Sequence, residues 1–153
     1  MIIQDAIRKL ERYCAYQERC YTEVEQKLSE LDLIPEAREK VILHLREHKF
    51  LDEERYAIHF ARGKFRIKKW GKLRIRRELK AKKISSRLMD QALAQIEDSD
   101  YLQTFHELAE KRFDSLVREQ DRHKKQQKWF SYLQYRGWEA QLLYEKWNEL
   151  TQE

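Results

Sequence analysis

Glycine, proline and cysteine are scarce in this chain of 153 residues, and each shortage excludes a class of protein. Three glycines and one proline are too few for the turns of a many-stranded sandwich or barrel, which excludes an all-β fold. Two cysteines, Cys14 and Cys20, are too few for a disulfide scaffold. We therefore expect a cytoplasmic protein whose two thiols are reduced.

Long apolar segments are missing as well. No run of apolar residues is longer than four, whereas a membrane-spanning helix needs about 20. A signal peptide begins with basic residues that are followed by an apolar segment. Residues Met1–Asp5 do not show this pattern and already belong to the first amphipathic segment. From these absences we expect neither a signal peptide nor contact with a membrane.

Charged residues, by contrast, are abundant and unevenly distributed. They make up 39% of the chain. Between Arg62 and Lys83 there are twelve bases and a single acid, Glu78, which is a net charge of +11, whereas the other residues carry a net charge of −6. A basic centre between acidic flanks predicts a polyanionic or acidic partner that meets the middle of the chain.

Apolar residues recur at intervals of three and four along the whole chain, as Ile3, Ile7 and Leu10 do at its start. This spacing is typical of amphipathic helices. A capping box at Thr22 and a proline at position 35 are expected to begin the second and third helices. We predict an all-α fold of nine helices, near residues 2–17, 21–31, 35–48, 53–68, 72–83, 86–97, 100–119, 122–136 and 139–150.

Six apolar positions in the first third of the chain recur after 51 residues and again after a further 54, and the register holds across a turn. The three sets are Val24, Leu28, Leu33, Ala37, Ile42 and Leu45; Ile75, Leu79, Ile84, Leu88, Leu93 and Ile96; and Trp129, Leu133, Trp138, Leu142, Trp147 and Leu150. The pattern predicts three tandem three-helix repeats, at residues 1–51, 52–98 and 99–153. Such stacked repeats are expected to form an elongated, curved body.

The basic residues of the middle repeat are predicted to face solvent. With Tyr56, Phe60 and Ile67 inward on the fourth helix, and Ile75 and Leu79 inward on the fifth, each helix turns a row of bases outward. The candidate partner-binding and DNA-binding residues are Arg62, Lys64, Arg66, Lys69, Arg74, Arg77 and Lys80.

Two aromatic residues accompany these bases. Phe65 is expected beside the first row and Trp70 in the turn between the two helices. Bases interleaved with aromatics suit a nucleic-acid backbone with stacked bases, but they also suit an acidic protein groove. A merely solvated basic face is a further alternative, and packing is the commoner role for both aromatics.

No motif indicates an enzyme. The chain has neither a glycine-rich phosphate loop nor a nucleophile elbow. His44 and His48 are four residues apart on one helical face, but the intervening Leu-Arg-Glu is not a zincin pattern. Cys14 lies on the apolar stripe of the first helix and is expected to be a buried thiol. We therefore expect no catalytic residue, no metal and no cofactor.

Several segments in the middle of the chain form a signature. They are Phe50-Leu51-Asp52-Glu53-Glu54-Arg55-Tyr56-Ala57, Phe60, Arg62, Lys64, Arg66, Trp70-Gly71, Arg74-Ile75-Arg76-Arg77-Glu78-Leu79 and Lys82-Lys83-Ile84-Ser85. This signature resembles the centre of the RecX regulatory proteins, a family that is built of tandem three-helix repeats. The segments 13–20 and 132–138 resemble the first and third repeats of that family more loosely.

Two residues depart from the family pattern. Lys83 stands where the family usually has glycine, at a helix end where a left-handed residue is expected. Cys20 stands where a serine often starts the second helix, and Thr22 is expected to cap that helix instead.

The resemblance implies regulation of the RecA recombinase. Members of the family bind the active RecA–DNA filament along its helical groove and suppress filament growth, ATP turnover and strand exchange. The implied partners are the RecA filament and, through weak and salt-dependent contacts, single- and double-stranded DNA, and we expect the protein itself to be a monomer. The alternative is a basic helical protein that binds DNA or RNA directly, without a RecA partner.

Overall fold

A computed structural model describes residues 1–152, and over this range the chain forms nine α-helices and no strand. The helices are α1 (Ile3–Tyr16), α2 (Tyr21–Ser29), α3 (Pro35–Glu47), α4 (Glu53–Lys68), α5 (Lys72–Ala81), α6 (Ser86–Ala94), α7 (Asp98–Ser115), α8 (Arg122–Tyr135) and α9 (Ala140–Thr151). Each corresponds to one predicted helix, with ends that differ by a few residues. The prediction of an all-α fold is confirmed.

The helices repeat with the same spacing as the apolar pattern. The third helix of each triplet begins at Pro35, Ser86 and Ala140, which are 51 and 54 residues apart. All eighteen repeated apolar positions are buried or half-buried. Tandem three-helix repeats are therefore confirmed, while the exact boundaries after residues 51 and 98 stay a prediction.

The second helix begins with a capping box that lies two residues earlier than expected. The Glu23 carboxylate accepts a hydrogen bond from the amide of Cys20 at 3.0 Å, and Cys20 precedes the first helical residue. Thr22 lies inside the first turn, where its hydroxyl is 3.1 Å from Cys20 Sγ. The expectation that Thr22 caps this helix was wrong, because the helix starts at Tyr21.

The left-handed residue expected after α5 is present although it is a lysine. Lys83 has a φ of 61°. Its amide donates to Lys80 O at 2.9 Å, and the next amide, that of Ile84, donates to Leu79 O at 3.1 Å. This pair of bonds is a Schellman motif, which satisfies carbonyls at the helix end.

The chain divides into two compact units, and each has its own core. The first unit comprises Met1–Phe60 with Leu79–Gln91, and the second comprises Ala61–Glu78 with the residues from Ala92 onward. The core of the first unit contains Ala6, Leu10, Cys14, Val24, Leu28, Leu31, Val41, Leu45 and Leu51. In the same unit, Arg55 pairs with Glu18 at 2.8 Å, and Glu53 accepts the amide of Tyr21 at 3.0 Å.

Large aromatic residues form the core of the second unit. Trp129 and Trp138 are almost fully buried, as is Phe105, and the Trp129 indole donates to Ala109 O at 2.9 Å. Trp147 packs on Trp129, with ring centroids 5.4 Å apart. The three tryptophans therefore occupy the core positions that the repeat pattern predicted.

Candidate functional site

The inward face of α4 differs from the predicted one by part of a turn. Ala57, Ala61 and Phe65 are buried at four-residue intervals, whereas Ile67 is 78% exposed. Phe65, at the end of this stripe, packs on Tyr101, with ring centroids 5.8 Å apart. The placement of Ile67 inward and of Phe65 beside the basic row was therefore wrong.

Three of the candidate bases near the end of α4 reach solvent. Arg62 and Arg66 are exposed and lie one helical turn apart. Lys69 is also exposed, but it follows the helix in a left-handed conformation with a φ of 58°. The Lys69 carbonyl accepts a hydrogen bond from the Trp138 indole at 3.1 Å, which fixes this turn.

Trp70 brings together one base from α4 and one from α5. Lys64 Nζ lies 5.1 Å from the centroid of the Trp70 ring, and Arg74 Cζ lies 4.1 Å from it. Both distances are within the range of a cation–π interaction. The indole thus positions two half-buried candidate bases at the turn between the helices.

Arg74 is held within the second unit and does not project outward. Its side chain is only 17% exposed, and its guanidinium carbon lies 4.6 Å from the ring centroid of Tyr135. Its Nη1 donates to Tyr135 O at 3.1 Å, and its Nε lies 3.8 Å from a carboxylate oxygen of Glu78. The outward placement of Arg74 was wrong, whereas Arg77 and Lys80 are exposed, Lys80 belonging to the first unit.

Two glycines allow the start of α5 to touch the turn between α8 and α9. The amide of Gly71 donates to Arg136 O at 2.8 Å, and that of Leu73 donates to Gly137 O at 3.1 Å. A β-carbon on Gly71 would lie 2.4 Å from Gly137 O, and Gly137 itself has a φ of 89°. These contacts satisfy amides that a helix start leaves without intrahelical partners.

A buried tyrosine supports the same junction. The amide of Lys72 donates to the hydroxyl of Tyr101 at 2.8 Å, and this hydroxyl donates to the carboxylate of Glu139 in a short hydrogen bond. Burial, together with the bond to Glu139, raises the pKa of Tyr101 above its ordinary range. The phenol therefore stays protonated and keeps both bonds at neutral pH.

A basic groove lies beside this junction, and the sequence reasoning did not include it. It has a volume of about 640 Å³ and is lined by Arg112, Gln127, Lys128, Ser131, Tyr132, Tyr135 and Arg136. The guanidinium carbons of Arg136 and Arg112 lie 3.7 and 4.7 Å from the centroid of the Tyr132 ring. The available signal was the spacing of Tyr132, Tyr135 and Arg136, which places two aromatics and a base within five residues.

His44 and His48 contact each other and neighbouring groups of the first unit. His44 Nε2 is 2.9 Å from Glu11 Oε2, and the His44 ring stacks on His48. Cys14 and Cys20 are buried free thiols, and burial raises the pKa of Cys14 to about 11. Within the described part of the chain no group of three or more His, Cys, Asp or Glu is placed to hold a metal ion. None of its helices is long and apolar enough to cross a bilayer.

Comparison with known proteins identifies the family. The family model described as "RecX, second three-helix domain" matches residues 52–93, and that described as "RecX, third three-helix domain" matches residues 98–145. The chain belongs to the RecX family. The seven candidate bases lie in the matched second RecX domain, and the residues of the groove lie in the third.

Relatives named "Regulatory protein RecX" share up to about a third of their aligned residues with this chain. The one from Clostridium acetobutylicum is 34% identical over 119 residues, covering 76% of this chain and 55% of the relative. The one from Vibrio campbellii is 36% identical over 93 residues, covering 60% and 57%. The chain thus spans little more than half the length of these curated relatives.

Two solved structures have the same fold. A crystal structure titled as that of regulatory protein RecX has a TM-score of 0.81 and 26% identity, covering 92% of this chain and 70% of the other. The crystal structure of RecX from Lactobacillus salivarius has a TM-score of 0.83 over 97% of this chain and 96% of the other, at 24% identity. The second likeness concerns the fold alone.

Proposed function

We propose that this protein regulates the RecA recombinase by binding in the groove of the RecA–DNA filament, and that it mainly inhibits filament growth and ATP turnover. The observation that carries the proposal is the set of exposed bases in the matched second RecX domain. Arg62, Arg66, Lys69 and Arg77 all reach solvent within the second unit. The relatives named as regulatory proteins support the same role.

The charge of these bases is available to a partner. Among the residues that the structure describes, none forms an ion pair with Arg62, Arg66 or Arg77. A groove formed by protein and DNA offers carboxylates and phosphates, and a guanidinium can bind either of them bidentately. These arginines are therefore the residues that we expect to contact the filament.

Binding of this kind inhibits by occupying space. A protein that lies across several RecA protomers gains avidity for the filament over free RecA, even when each contact is weak. Its presence in the groove would exclude the second DNA and resist the protomer movements that turnover needs. If the four exposed bases meet phosphates, log K should fall with log salt at a slope of about −3 to −4.

Direct binding to DNA or RNA, with no filament partner, is the second candidate. The groove beside Tyr132 favours it, because bases and the exposed ring of Tyr135 lie together there. For both candidates we propose a cytoplasmic location, because bacterial DNA lies in the cytoplasm. We also propose that the protein acts as a monomer, since neither candidate requires an oligomer. We propose no catalytic activity and no cofactor for either.

RecA ATPase activity on saturating single-stranded DNA separates the two candidates. Filament binding predicts inhibition at a ratio well below one protein per RecA, since one bound molecule affects several protomers. Competition for free DNA predicts inhibition only when the protein covers the DNA lattice. The second result, with added DNA restoring full activity, would reject filament binding as the basis of regulation.

A further inference from the structure

The groove on the third repeat has the composition of a site for a polyanion. Three bases line it, Arg112, Lys128 and Arg136, and the lining contains no acid. Lys128 pairs with Glu119 at 2.8 Å, and this hydrogen bond lowers the pKa of Glu119. The volume of about 640 Å³ lies within the range of small-ligand sites, roughly 300–1,000 Å³.

The two arginines pack on an aromatic ring, and over residues 1–152 the guanidinium of each makes a single hydrogen bond. Both guanidiniums pack on the Tyr132 ring. Arg112 makes a long bond of 3.4 Å to Ser115 Oγ, and Arg136 donates to Tyr132 O at 3.2 Å. A guanidinium has five N–H donors, so within the described residues most of these donors have no protein acceptor.

Tyr135 presents an open ring at the edge of the same groove. Its side chain is 68% exposed, although Arg74 packs on the ring at 4.6 Å. A tyrosine that is fixed by a guanidinium yet open to solvent is suited to stack on a planar group. An unpaired nucleobase is such a group, whereas the bases of a duplex are already stacked and the carboxylate side chains of an acidic peptide have no ring.

We propose that this groove binds single-stranded nucleic acid, with Arg112 and Arg136 on successive phosphates and Tyr135 stacked on an unpaired base. The site lies in a different repeat from the exposed bases of the middle repeat; it rests on the second candidate function, direct binding to nucleic acid, and does not require RecA. Stacking gives the protein a preference for single-stranded over double-stranded nucleic acid. The exposed lysine and arginine side chains of the middle repeat contact only charged groups and do not supply this preference.

Fluorescence anisotropy with the protein alone and a labelled oligothymidine strand tests the proposal. Tyr135→Ala should weaken binding about 5- to 150-fold, the effect of losing one stacked base. Tyr135→Phe, which retains the ring, should restore most of the affinity. The matched control is Tyr144→Ala, which removes a tyrosine that is 59% exposed on α9 and lies outside this groove.

An abasic strand of the same length separates stacking from charge. It keeps the phosphates but has no base, so wild type and Tyr135→Ala should bind it equally. Substituting both Arg112 and Arg136 with glutamine should reduce the slope of log K against log salt by about 1.4 for either strand.

Three outcomes would overturn the proposal, provided that circular dichroism shows the variants folded. The first is unchanged oligothymidine binding in Tyr135→Ala, and the second is that Tyr135→Ala weakens binding to the abasic strand as much as binding to oligothymidine. The third is that substitution of Arg112 and Arg136 abolishes binding to polyglutamate, an acidic peptide, but not binding to oligothymidine. The last outcome would assign the groove to an acidic protein segment. None of these results bears on inhibition of RecA, so the proposed function is tested separately.

Discussion

Replacing Gly71 with alanine tests the close contact between the start of α5 and the turn after α8. The added β-carbon would lie 2.4 Å from Gly137 O, 2.6 Å from Gly137 C and 2.7 Å from the amide nitrogen of Trp138. All three atoms belong to the backbone, so no side-chain rotation can relieve the clash. The two segments must separate, which breaks the hydrogen bonds from Gly71 to Arg136 and from Leu73 to Gly137.

The cost follows from these two bonds. A buried amide that loses its partner costs about 1–3 kcal/mol. The reduced entropy of the unfolded chain returns about 0.4–1 kcal/mol on a change from glycine to alanine. Two such amides cost about 2–6 kcal/mol, so we expect Gly71→Ala to lower the free energy of unfolding of the second unit by about 1–6 kcal/mol.

Urea denaturation followed by tryptophan fluorescence measures this loss, because all four tryptophans lie in the second unit. The control is Gly63→Ala, since a β-carbon there meets no atom within 4 Å. Gly63 lies inside α4, so alanine should stabilise that helix by about 0.5–1 kcal/mol. Equal stability of the two variants would refute the described contact between α5 and the α8–α9 turn.

Three further predictions concern helix ends and cores. Lys83→Gly should raise the unfolding free energy by about 0.5–1 kcal/mol, since glycine adopts a φ of 61° without strain, whereas Arg77→Gly inside α5 should lower it by about 1 kcal/mol. Urea unfolding is followed here by circular dichroism, because Lys83 lies in the first unit, which contains no tryptophan. Leu79→Ala should cost about 2–5 kcal/mol because it leaves a cavity at a fully buried site, and a loss below 1 kcal/mol would contradict that burial. In a Cys20→Ser background, the thiol of Cys14 should not react with a disulfide reagent at pH 8, because burial raises its pKa to about 11 and the thiolate is the nucleophile. Reaction should appear on unfolding or as the pH approaches 11, and rapid reaction of the folded protein at pH 8 would refute this.

The helices and the repeat could be predicted because their signals are local. Apolar residues at helical spacing determine which face of each helix can be buried, and the same face recurs at Val24, Ile75 and Trp129. The start at Pro35 is also local, since proline lacks the amide that a first turn leaves without a partner. These signals need no knowledge of which elements pack together.

The candidate site could be predicted only in part, because its geometry depends on distant residues. Arg74 is bound by the ring and the carbonyl of Tyr135, which is 61 residues away in the sequence. The helical periodicity of α5 contains no information about this contact and therefore predicted, wrongly, that Arg74 is exposed to solvent. The error at Ile67 has a related cause: which edge of the apolar face is buried depends on the neighbour that packs there, here Tyr101 against Phe65.

Charge reversal on α4 tests the central claim most directly, which is that the exposed bases of the middle repeat contact the RecA filament. Arg62→Glu with Arg66→Glu changes the charge by −4 at two exposed positions, and Arg8→Glu with Arg12→Glu makes the same change at the same spacing on α1. The quantity measured is the protein concentration that halves RecA ATPase activity on single-stranded DNA. We predict that it rises at least tenfold for the α4 variant and less than twofold for the α1 variant. A folded α4 variant that inhibits as well as wild type would contradict the claim.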